Sequence, residues 1–342
     1  MNILISGASG YYGSILTKFL INENIDCIGI DLIKSNILTK EKQILCDICN
    51  YDELKRKLEK YKFDMIIHLA SQIDFAVHNQ NNLYDNNIIS TKNLLKIAEE
   101  HGIKTFIFTS SNSIFLGLNQ PLILDSDVPK PIDMYGKSKF DSENIILKYQ
   151  NKFNVIILRC PNIIDAGRVG MMSILFDLVR ANATLWTIKN GQIKHQCLYA
   201  QDLNMAIKKL LFLNKSKIYN IGSENVPNFK EIFENLINVA KSKSKIRSIP
   251  SGLAIFFLKF LYKLRLSPMG PYQFRMLTMN FEFDISKIKK ELNWKPTKTN
   301  SEIIKIAYDF YIHNLNNTKK KLNANSRPVD MKILNILKFI KW

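Results

Sequence analysis

The fold is decided by a stretch near the start of the chain, Ile3-Leu4-Ile5-Ser6-Gly7-Ala8-Ser9-Gly10-Tyr11-Tyr12-Gly13. Its apolar, β-branched first part predicts a strand, and three glycines spaced G-x-x-G-x-x-G lead from that strand into a helical stretch. Gly7 permits a tight turn, Gly10 lets the backbone approach a pyrophosphate, and Gly13 lets the helix pack closely on the strand. Because the free N–H groups and the dipole of a helix N-terminus favour anions, the stretch predicts a dinucleotide site.

An acidic residue, Asp31, ends the second predicted strand, Ile25–Asp31. Its carboxylate can bind both hydroxyls of an adenosine ribose and would repel a 2′-phosphate. The sequence therefore predicts NAD rather than NADP as the cofactor.

Strands and helices alternate through the first half of the chain. The predicted strands are Ile3–Ser6, Ile25–Asp31, Asp64–Leu69, Lys104–Ser110 and Asn154–Arg159, and the predicted helices are Ser14–Asn22, Tyr51–Tyr61, Ile88–His101 and Tyr135–Tyr149. Strands that are apolar on both faces indicate a parallel sheet covered by helices on both sides. The expected fold class is α/β, a Rossmann-type doubly wound parallel sheet with a smaller, interleaved C-terminal substrate domain.

Three regions are expected along the 342 residues. Residues 1–165 form the NAD-binding domain, and a later strand near 218–221 is expected to join it. Residues 166–314 form mainly the substrate-binding domain, and residues 315–342 form a basic amphipathic tail.

Composition narrows the class of protein. Hydrophobic residues make up 46% and charged residues 23%, which is typical of globular proteins and excludes disordered and fibrous classes. No apolar run reaches the roughly 18 residues of a membrane span, and the start of the chain lacks the pattern of a secretory signal, so a cytoplasmic location is expected. Five cysteines, an odd count, indicate thiols. Cys46 and Cys49 have the spacing C-x-x-C without a second pair, and no metal site is assigned.

A tyrosine and a lysine four residues apart, Tyr135 and Lys139, share one face of a predicted helix. A phenol is a poor base at neutral pH, but a neighbouring ammonium favours the phenolate. Ser110 and Ser111 follow the strand Lys104–Thr109, at the edge where α/β sheets place their sites. These residues are candidates for proton transfer at a substrate hydroxyl.

Further motifs occur in a fixed order along the chain. They are Cys46-Asp47-Ile48, His68-Leu69-Ala70, Asn87 in Asn87-Ile88-Ile89-Ser90-Thr91, Arg159-Cys160-Pro161-Asn162, Tyr199-Ala200-Gln201-Asp202, Tyr219-Asn220-Ile221-Gly222, Asp284-Ile285-Ser286-Lys287 and Glu291-Leu292-Asn293-Trp294-Lys295-Pro296. With the glycine stretch, Asp31 and the Ser/Tyr/Lys set, they resemble the extended short-chain dehydrogenase/reductase family, in its NAD-dependent epimerase/dehydratase group. The resemblance runs from residue 1 to about residue 300.

The resemblance implies roles for individual residues. Tyr135 would take a proton from a substrate hydroxyl as hydride passes to NAD, Lys139 would bind the nicotinamide ribose, and Ser111 would hydrogen-bond the reacting oxygen. The implied cofactor-binding residues are Gly7, Gly10, Tyr11, Tyr12, Gly13, Asp31, Asp47, Ile48, Leu69, Ala70, Ser71, Asn87, Ser110, Tyr135, Lys139 and Pro161. The implied substrate-binding residues are Ser111, Asn112, Asn162 and His195.

Two departures from the family bear on the reaction and the substrate. Dehydratases of the group carry an Asp-Glu pair after the catalytic Ser or Thr, whereas Asn112 and Ser113 stand here and do not titrate, so dehydration is not expected. Nucleotide-sugar epimerases usually carry an arginine that grips the diphosphate where this chain has His195, and a second family arginine has no counterpart. The sequence therefore favours a soluble nucleotide-sugar substrate less strongly than the family resemblance does.

Positive charge is concentrated in two segments. Residues 241–265 hold seven basic residues and no acid, residues 315–342 hold seven against one acid, and together they carry most of the net charge of +18. Segment 253–264 is strongly apolar, and in 331–342 apolar residues recur at helical spacing up to Trp342. The pattern is typical of interfacial membrane anchors, with a core helix and a subunit-packing helix as the respective alternatives.

The sequence thus predicts an NAD-dependent sugar-modifying oxidoreductase, a 4-epimerase acting through a keto intermediate on a nucleotide-sugar or polyprenyl-diphosphate-linked sugar in surface-glycan biosynthesis. The alternatives are an NAD(H)-dependent reductase or dehydrogenase of a more apolar substrate, similar to hydroxysteroid dehydrogenases, and a non-catalytic NAD-binding sensor. Expected partners are a small-molecule or lipid-linked sugar, a second copy in a homodimer, and the inner face of the membrane through 253–265 and 331–342. No nucleic-acid partner is expected.

Overall fold

A computed structural model describes residues 1–73, 80–263 and 271–315 of the chain. In that part of the chain the strands are β1 (Asn2–Ser6), β2 (Asp26–Asp31), β3 (Gln43–Leu45), β4 (Met65–His68), β5 (Thr105–Ser111), β6 (Leu122–Ile123), β7 (Asn154–Cys160), β8 (Asn162–Ile164), β9 (Leu185–Ile188), β10 (Cys197–Tyr199), β11 (Lys217–Asn220), β12 (Ile246–Ile249) and β13 (Glu282–Phe283). The α-helices are α1 (Tyr11–Asn22), α2 (Tyr51–Leu58), α3 (Gln80–Glu100), α4 (Met134–Leu147), α5 (Met172–Arg180), α6 (Ala200–Leu210), α7 (Phe229–Val239), α8 (Ser251–Lys263), α9 (Pro271–Met276), α10 (Ser286–Leu292) and α11 (Asn300–His313).

The central sheet contains seven parallel strands in the order β11-β7-β5-β4-β1-β2-β3. The chain order reverses between β1 and β4, which makes a crevice at their carboxyl ends. The predicted Rossmann-type doubly wound fold is confirmed.

Alternation along the strands explains why the sheet is covered on both faces. Ile3 and Ile5 of β1 belong to one apolar core with Leu16 of α1, whereas Leu4 belongs to a second core with Leu54 of α2. Successive side chains of a strand point to opposite faces, so an uninterrupted apolar run supplies both cores.

A third core lies in the second region of the chain. It includes Phe176 of α5, Ile232 of α7 and Tyr308 of α11. Strand β11 pairs with β7 in parallel, so the chain leaves the central sheet and returns to it. The division at residue 165 remains a prediction, and residues 316–342, nearly all of the predicted tail, lie outside the described residues.

None of the described helices combines the length and the apolar character needed to cross a membrane.

A buried ion pair fixes α4 against the sheet. The Arg159 guanidinium at the end of β7 donates to the Glu143 carboxylate of α4 at 2.8 Å and 3.2 Å, and it also donates to the Asp125 carbonyl at 3.2 Å. The same guanidinium lies 5.0 Å from the centre of the Phe115 ring. Because both charged side chains are almost fully buried, each depends on the other for solvation.

We expect Arg159→Met to lower the free energy of unfolding by about 3–5 kcal/mol, since the Glu143 carboxylate would stay buried without its partner. Urea unfolding followed by circular dichroism measures the loss. Combining the substitution with Glu143→Met should restore much of it, because no uncompensated charge then remains.

The matched control for this prediction is Lys305→Met. Lys305 pairs with Asp309 on the exposed face of α11, so its removal should cost less than about 1 kcal/mol. Equal losses in Arg159→Met and Lys305→Met would contradict the role given to the buried pair.

Candidate active site

A cavity of about 700 Å³ opens at the carboxyl ends of the central strands. It is lined by residues that follow or end β1, β2, β3, β4, β5 and β7, together with residues of α1, α3, α4 and β8. The predicted residues that line it are Gly7, Gly10, Tyr11, Tyr12, Gly13, Asp31, Asp47, Ile48, Leu69, Ala70, Ser71, Asn87, Ser110, Ser111, Asn112, Tyr135, Lys139, Pro161 and Asn162. The fold thus brings together side chains that are up to 155 positions apart in the chain.

The glycine loop has the backbone geometry that a diphosphate cradle needs. Gly7 has φ +75°, and a Cβ there would lie 2.7 Å from the Ala70 nitrogen; a Cβ at Gly13 would lie 2.0 Å from the Gly7 carbonyl oxygen. Gly10 precedes the first residue of α1 and supplies no side-chain cap. The first N–H groups of α1 are therefore not capped by Gly10, and the residues fit a bound dinucleotide.

The two tyrosines of the loop are held by the protein itself. The Tyr11 hydroxyl donates to the Asp165 carbonyl at 3.0 Å and accepts from the Asp165 N–H at 2.7 Å. The Tyr12 hydroxyl donates to Asn204 Oδ1 at 3.0 Å. Their side-chain oxygens are thus engaged away from a ligand, and we expect Tyr11 and Tyr12 to contact the cofactor through their backbone.

Asp31 is oriented by two backbone donors. Its Oδ2 accepts from the Ser9 N–H at 2.9 Å, and its Oδ1 accepts from the Ile33 N–H at 3.1 Å. These bonds hold the carboxylate at the cavity wall beside the glycine loop, where the sequence predicts contact with ribose hydroxyls.

Asp47 and Ile48 line the same end of the cavity, together with Cys46 and Cys49. Both thiols are free, and burial raises the pKa of each to about 11, so both are protonated at neutral pH. Within residues 1–73, 80–263 and 271–315 no group of three potential metal ligands comes together; His78 lies outside those ranges.

Asn87 connects the two walls of the cavity. Its Oδ1 accepts from the Gln72 N–H at 2.8 Å, and its Nδ2 donates to Ser138 Oγ at 3.0 Å. The amide therefore fixes the loop after β4 against α4, the helix that carries Tyr135 and Lys139.

Ser111 is hydrogen-bonded to the two residues that follow it, Asn112 and Ser113. Its Oγ accepts from Ser113 Oγ at 2.8 Å and from the Ser113 N–H at 3.2 Å, and it donates to Asn112 Oδ1 at 3.3 Å. Ser110 Oγ and Asn112 Nδ2 are buried and have no hydrogen-bond partner within the described residues. Because such atoms carry a desolvation cost, they are suited to receive a polar ligand.

Tyr135 and Lys139 lie on one face of α4, with Lys139 Nζ 5.9 Å from the centre of the Tyr135 ring. Lys139 Nζ donates to the Thr109 carbonyl at 2.9 Å and lies 4.6 Å from the centre of the Phe108 ring. Burial lowers the pKa of Lys139 to about 8, with Cys160 and Glu143 acting in the opposite direction. Lys139, an ammonium group whose pKa is close to neutral pH, therefore lies next to the candidate base Tyr135.

His195, predicted to bind substrate, is not among the residues that line the cavity. Its Nε2 contacts the Met279 carbonyl at 3.1 Å, and its ring packs 4.9 Å from the Phe229 ring. Burial lowers the pKa of His195 to about 4, so the ring is neutral. The structure thus places no cation at the cavity through this position.

Arg168, which belongs to none of the sequence motifs, also lines the cavity. Its guanidinium lies 5.4 Å from the centre of the Tyr11 ring, at the start of α1. Among the described lining residues the cations are Arg168 and Lys139. Since Lys139 belongs to the Tyr135 end, Arg168 is the cation suited to a diphosphate near the glycine loop.

We expect Arg168→Gln to weaken NAD binding about ten- to hundredfold, because a hydrogen bond to a charged group contributes about 1.5–3 kcal/mol. Calorimetric titration of cofactor-free protein measures the affinity, and Arg168→Lys should fall between the two. Arg180→Gln, an exposed arginine paired with Asp177, is the control. An unchanged affinity for NAD in Arg168→Gln would contradict a role of Arg168 in binding the cofactor.

The sequence is similar to those of several known proteins. The chain is 30% identical over 247 residues to a putative UDP-glucose 4-epimerase of Methanocaldococcus jannaschii, covering 68% of this chain and 80% of that protein. It is 24% identical to a UDP-glucuronate 4-epimerase of Thermodesulfobacterium geofontis, covering 91% and 96% of the two chains. It also matches an uncharacterized protein of Sinorhizobium fredii at 27% identity, covering 98% and 85%.

Among solved structures, the fold matches that of UDP-glucose 4-epimerase from Thermotoga maritima with a TM-score of 0.75 at 20% identity, covering 92% of this chain and all of the other. A sequence model of the NAD dependent epimerase/dehydratase family matches residues 3–222. The family predicted from the ordered motifs is confirmed: the chain is an enzyme of the NAD-dependent epimerase/dehydratase family, of the extended short-chain dehydrogenase/reductase type, and its cofactor is NAD.

Proposed function

We propose that the protein is a 4-epimerase that inverts a sugar carried on a diphosphate, either a nucleotide-sugar or a polyprenyl-diphosphate-linked sugar, in surface-glycan assembly. The observation that carries the proposal is the meeting of Ser111, Tyr135 and Lys139 in one cavity with the glycine loop. NAD, when bound, supplies a reversible oxidant for a secondary alcohol.

Each side chain then has a defined part in the reaction. Tyr135 accepts the proton of the sugar hydroxyl as that carbon becomes a ketone, and it returns the proton when the alcohol is formed again on the other face. Ser111, whose hydroxyl donates to Asn112 in the structure, would turn that donor to the reacting oxygen. The Lys139 ammonium stabilises negative charge on the Tyr135 oxygen.

The residues after Ser111 favour epimerisation over dehydration. Loss of water from a sugar needs an acid and a base beside the ring. Asn112 and Ser113 occupy those positions, both are buried, and their oxygens are hydrogen-bonded to Ser111. Neither side chain ionises near neutral pH, so no acid and base for the loss of water are supplied there and the ketone is left to be reduced again.

The surroundings of His195 bear on the carrier of the sugar. His195 stands away from the cavity, so the family's diphosphate arginine has no substitute at that position. A polyprenyl-diphosphate-linked sugar has no nucleotide to be bound, and its diphosphate would be presented at a lipid surface. We therefore propose a lipid-linked sugar as the preferred substrate and the inner face of the membrane as the location of the enzyme. The homodimer expected from the sequence remains a prediction.

The test is inversion at C4, followed by NMR, with UDP-N-acetylglucosamine and polyprenyl-diphosphate-linked N-acetylglucosamine as parallel substrates. We expect inversion of the lipid-linked sugar, and a fall of about 10²- to 10⁴-fold in kcat for Tyr135→Phe. Bound NAD is measured after denaturation in wild type and variant, and kcat is expressed per bound NAD, which separates a loss of chemistry from a loss of cofactor.

Other outcomes of the same experiment discriminate the alternatives. Inversion of the free nucleotide-sugar alone would overturn the lipid carrier and keep the epimerase. Absence of inversion on either sugar, with net oxidation of another alcohol, would replace the epimerase by a dehydrogenase. Turnover that is indifferent to Tyr135→Phe would remove the assigned base.

The pH profile tests the part played by Lys139. Its pKa of about 8 means that the ammonium is present below that pH and is lost as the pH rises through it. We expect kcat/KM to fall above about pH 8, because the charge that stabilises the Tyr135 oxygen disappears. In Lys139→Arg the charge persists at all these pH values, so the falling limb near pH 8 should be absent. The same falling limb in both proteins would assign it to another group.

A further inference from the structure

Helix α8 presents an apolar face to solvent. Leu253, Phe256, Phe257 and Phe260 are 52%, 65%, 53% and 50% exposed. Their spacing, i, i+3, i+4 and i+7, places them on one side of the helix. On the opposite side Ala254 is buried, and Ile255 and Leu258 are half-buried. Three aromatic rings and a leucine therefore face outward, on the side of the helix away from these residues.

Basic residues surround this face. Lys241, Lys243, Lys245 and Arg247 precede the helix, Lys259 and Lys263 lie on it, and all six are exposed. Residues 241–263 contain no acid. We call the four exposed apolar residues and these six basic residues the α8 surface.

An exposed tryptophan adjoins the α8 surface. Trp186 of β9 is opposite Arg247 of β12 in the parallel register, and it is 48% exposed. Tryptophan is enriched where protein meets the headgroup region of a bilayer. The neighbourhood thus combines aromatic, aliphatic and cationic groups in the arrangement of an interfacial helix.

We infer that the α8 surface binds an anionic lipid bilayer, with α8 lying in the plane of the interface. The 13 residues of α8 span about 20 Å at 1.5 Å per residue, less than the roughly 30 Å of a hydrocarbon core. The phenylalanines enter the acyl boundary, and the lysines remain at the level of the headgroups. This inference goes beyond the proposed reaction and does not depend on it.

Charge favours a bilayer over a second copy of the chain. Two-fold interfaces bring the same surface patch from both subunits together. Six basic residues would then face six more, with no acid in the segment to compensate. An anionic lipid surface supplies the opposite charge over the whole patch, at roughly 1 kcal/mol per basic residue.

The experiment uses the full chain and co-sedimentation with vesicles of phosphatidylcholine, with and without phosphatidylglycerol. We expect binding to the anionic vesicles, and at least about tenfold weaker partitioning for the combined variant Phe256→Ser, Phe257→Ser and Phe260→Ser. Lys259→Glu with Lys263→Glu should weaken partitioning by a similar factor. Each variant is first checked for an unchanged circular dichroism spectrum and unchanged NAD binding.

Matched controls are taken from surfaces far along the chain from α8. Phe212→Ser removes a phenylalanine that is 73% exposed, and Lys18→Glu reverses an exposed lysine of α1. Both should partition like wild type. Equal partitioning of all variants would overturn the inference and assign membrane binding, if seen, to another segment such as 331–342.

A second measurement locates the contact. Phe257→Trp and Phe212→Trp place a fluorescent probe on α8 and on the control surface, respectively. Anionic vesicles with brominated acyl chains should quench the added emission at 257 and leave that at 212 unchanged. Absence of quenching at 257, or a triple serine variant that turns a dimer into a monomer without affecting vesicle binding, would make the face a subunit contact and overturn the inference.

Discussion

The close approach of α1 to β1 is the constraint on which the site depends. The Gly7 carbonyl and Gly13 are so near that a single added carbon would lie 2.0 Å from the oxygen. Only this approach brings the first N–H groups of α1 to the carboxyl end of β1, at the crevice between β1 and β4. Asp31 is fixed to the same loop through the Ser9 N–H, so the groups expected to contact the phosphates and the ribose are positioned by one turn of backbone.

The catalytic end of the cavity is built from a different set of contacts. Helix α4 carries Tyr135 and Lys139, and it is held by the buried pair of Glu143 and Arg159 and by the bond from Asn87 to Ser138. Lys139 is therefore buried against Thr109 and Phe108, which lowers its pKa. Rigid support of this kind holds Tyr135, the proposed base, and Ser111 in one cavity.

The α8 surface and the cavity differ in the groups that they leave without a partner. The cavity gathers polar atoms that await a ligand, such as Ser110 Oγ and Asn112 Nδ2, whereas α8 leaves apolar rings in water beside a block of positive charge. Both are arrangements that a self-contained fold would avoid. We propose a partner outside the protein for each: NAD and a sugar for the cavity, and an anionic lipid surface for the α8 surface.

The sequence by itself predicted six of the seven strands of the central sheet, all but β3, together with the glycine turn and the family, because local periodicity and motif spacing are written along the chain. It also predicted Asp31 and the Ser111/Tyr135/Lys139 set as site residues, and the fold brings them to one cavity. It missed eight residues at the start of α3, where polar side chains hide the helical pattern. It offered no signal for Arg168 at the cavity, it did not show that His195 is absent from the cavity lining, and it left open whether segment 253–264 is core or surface. Those points depend on which side chains meet across long separations, and only tertiary packing decides them. Arg168 lies beside the Tyr11 ring at the cavity, whereas His195 contacts Met279 and packs on Phe229. Helix α8 turns its phenylalanines outward.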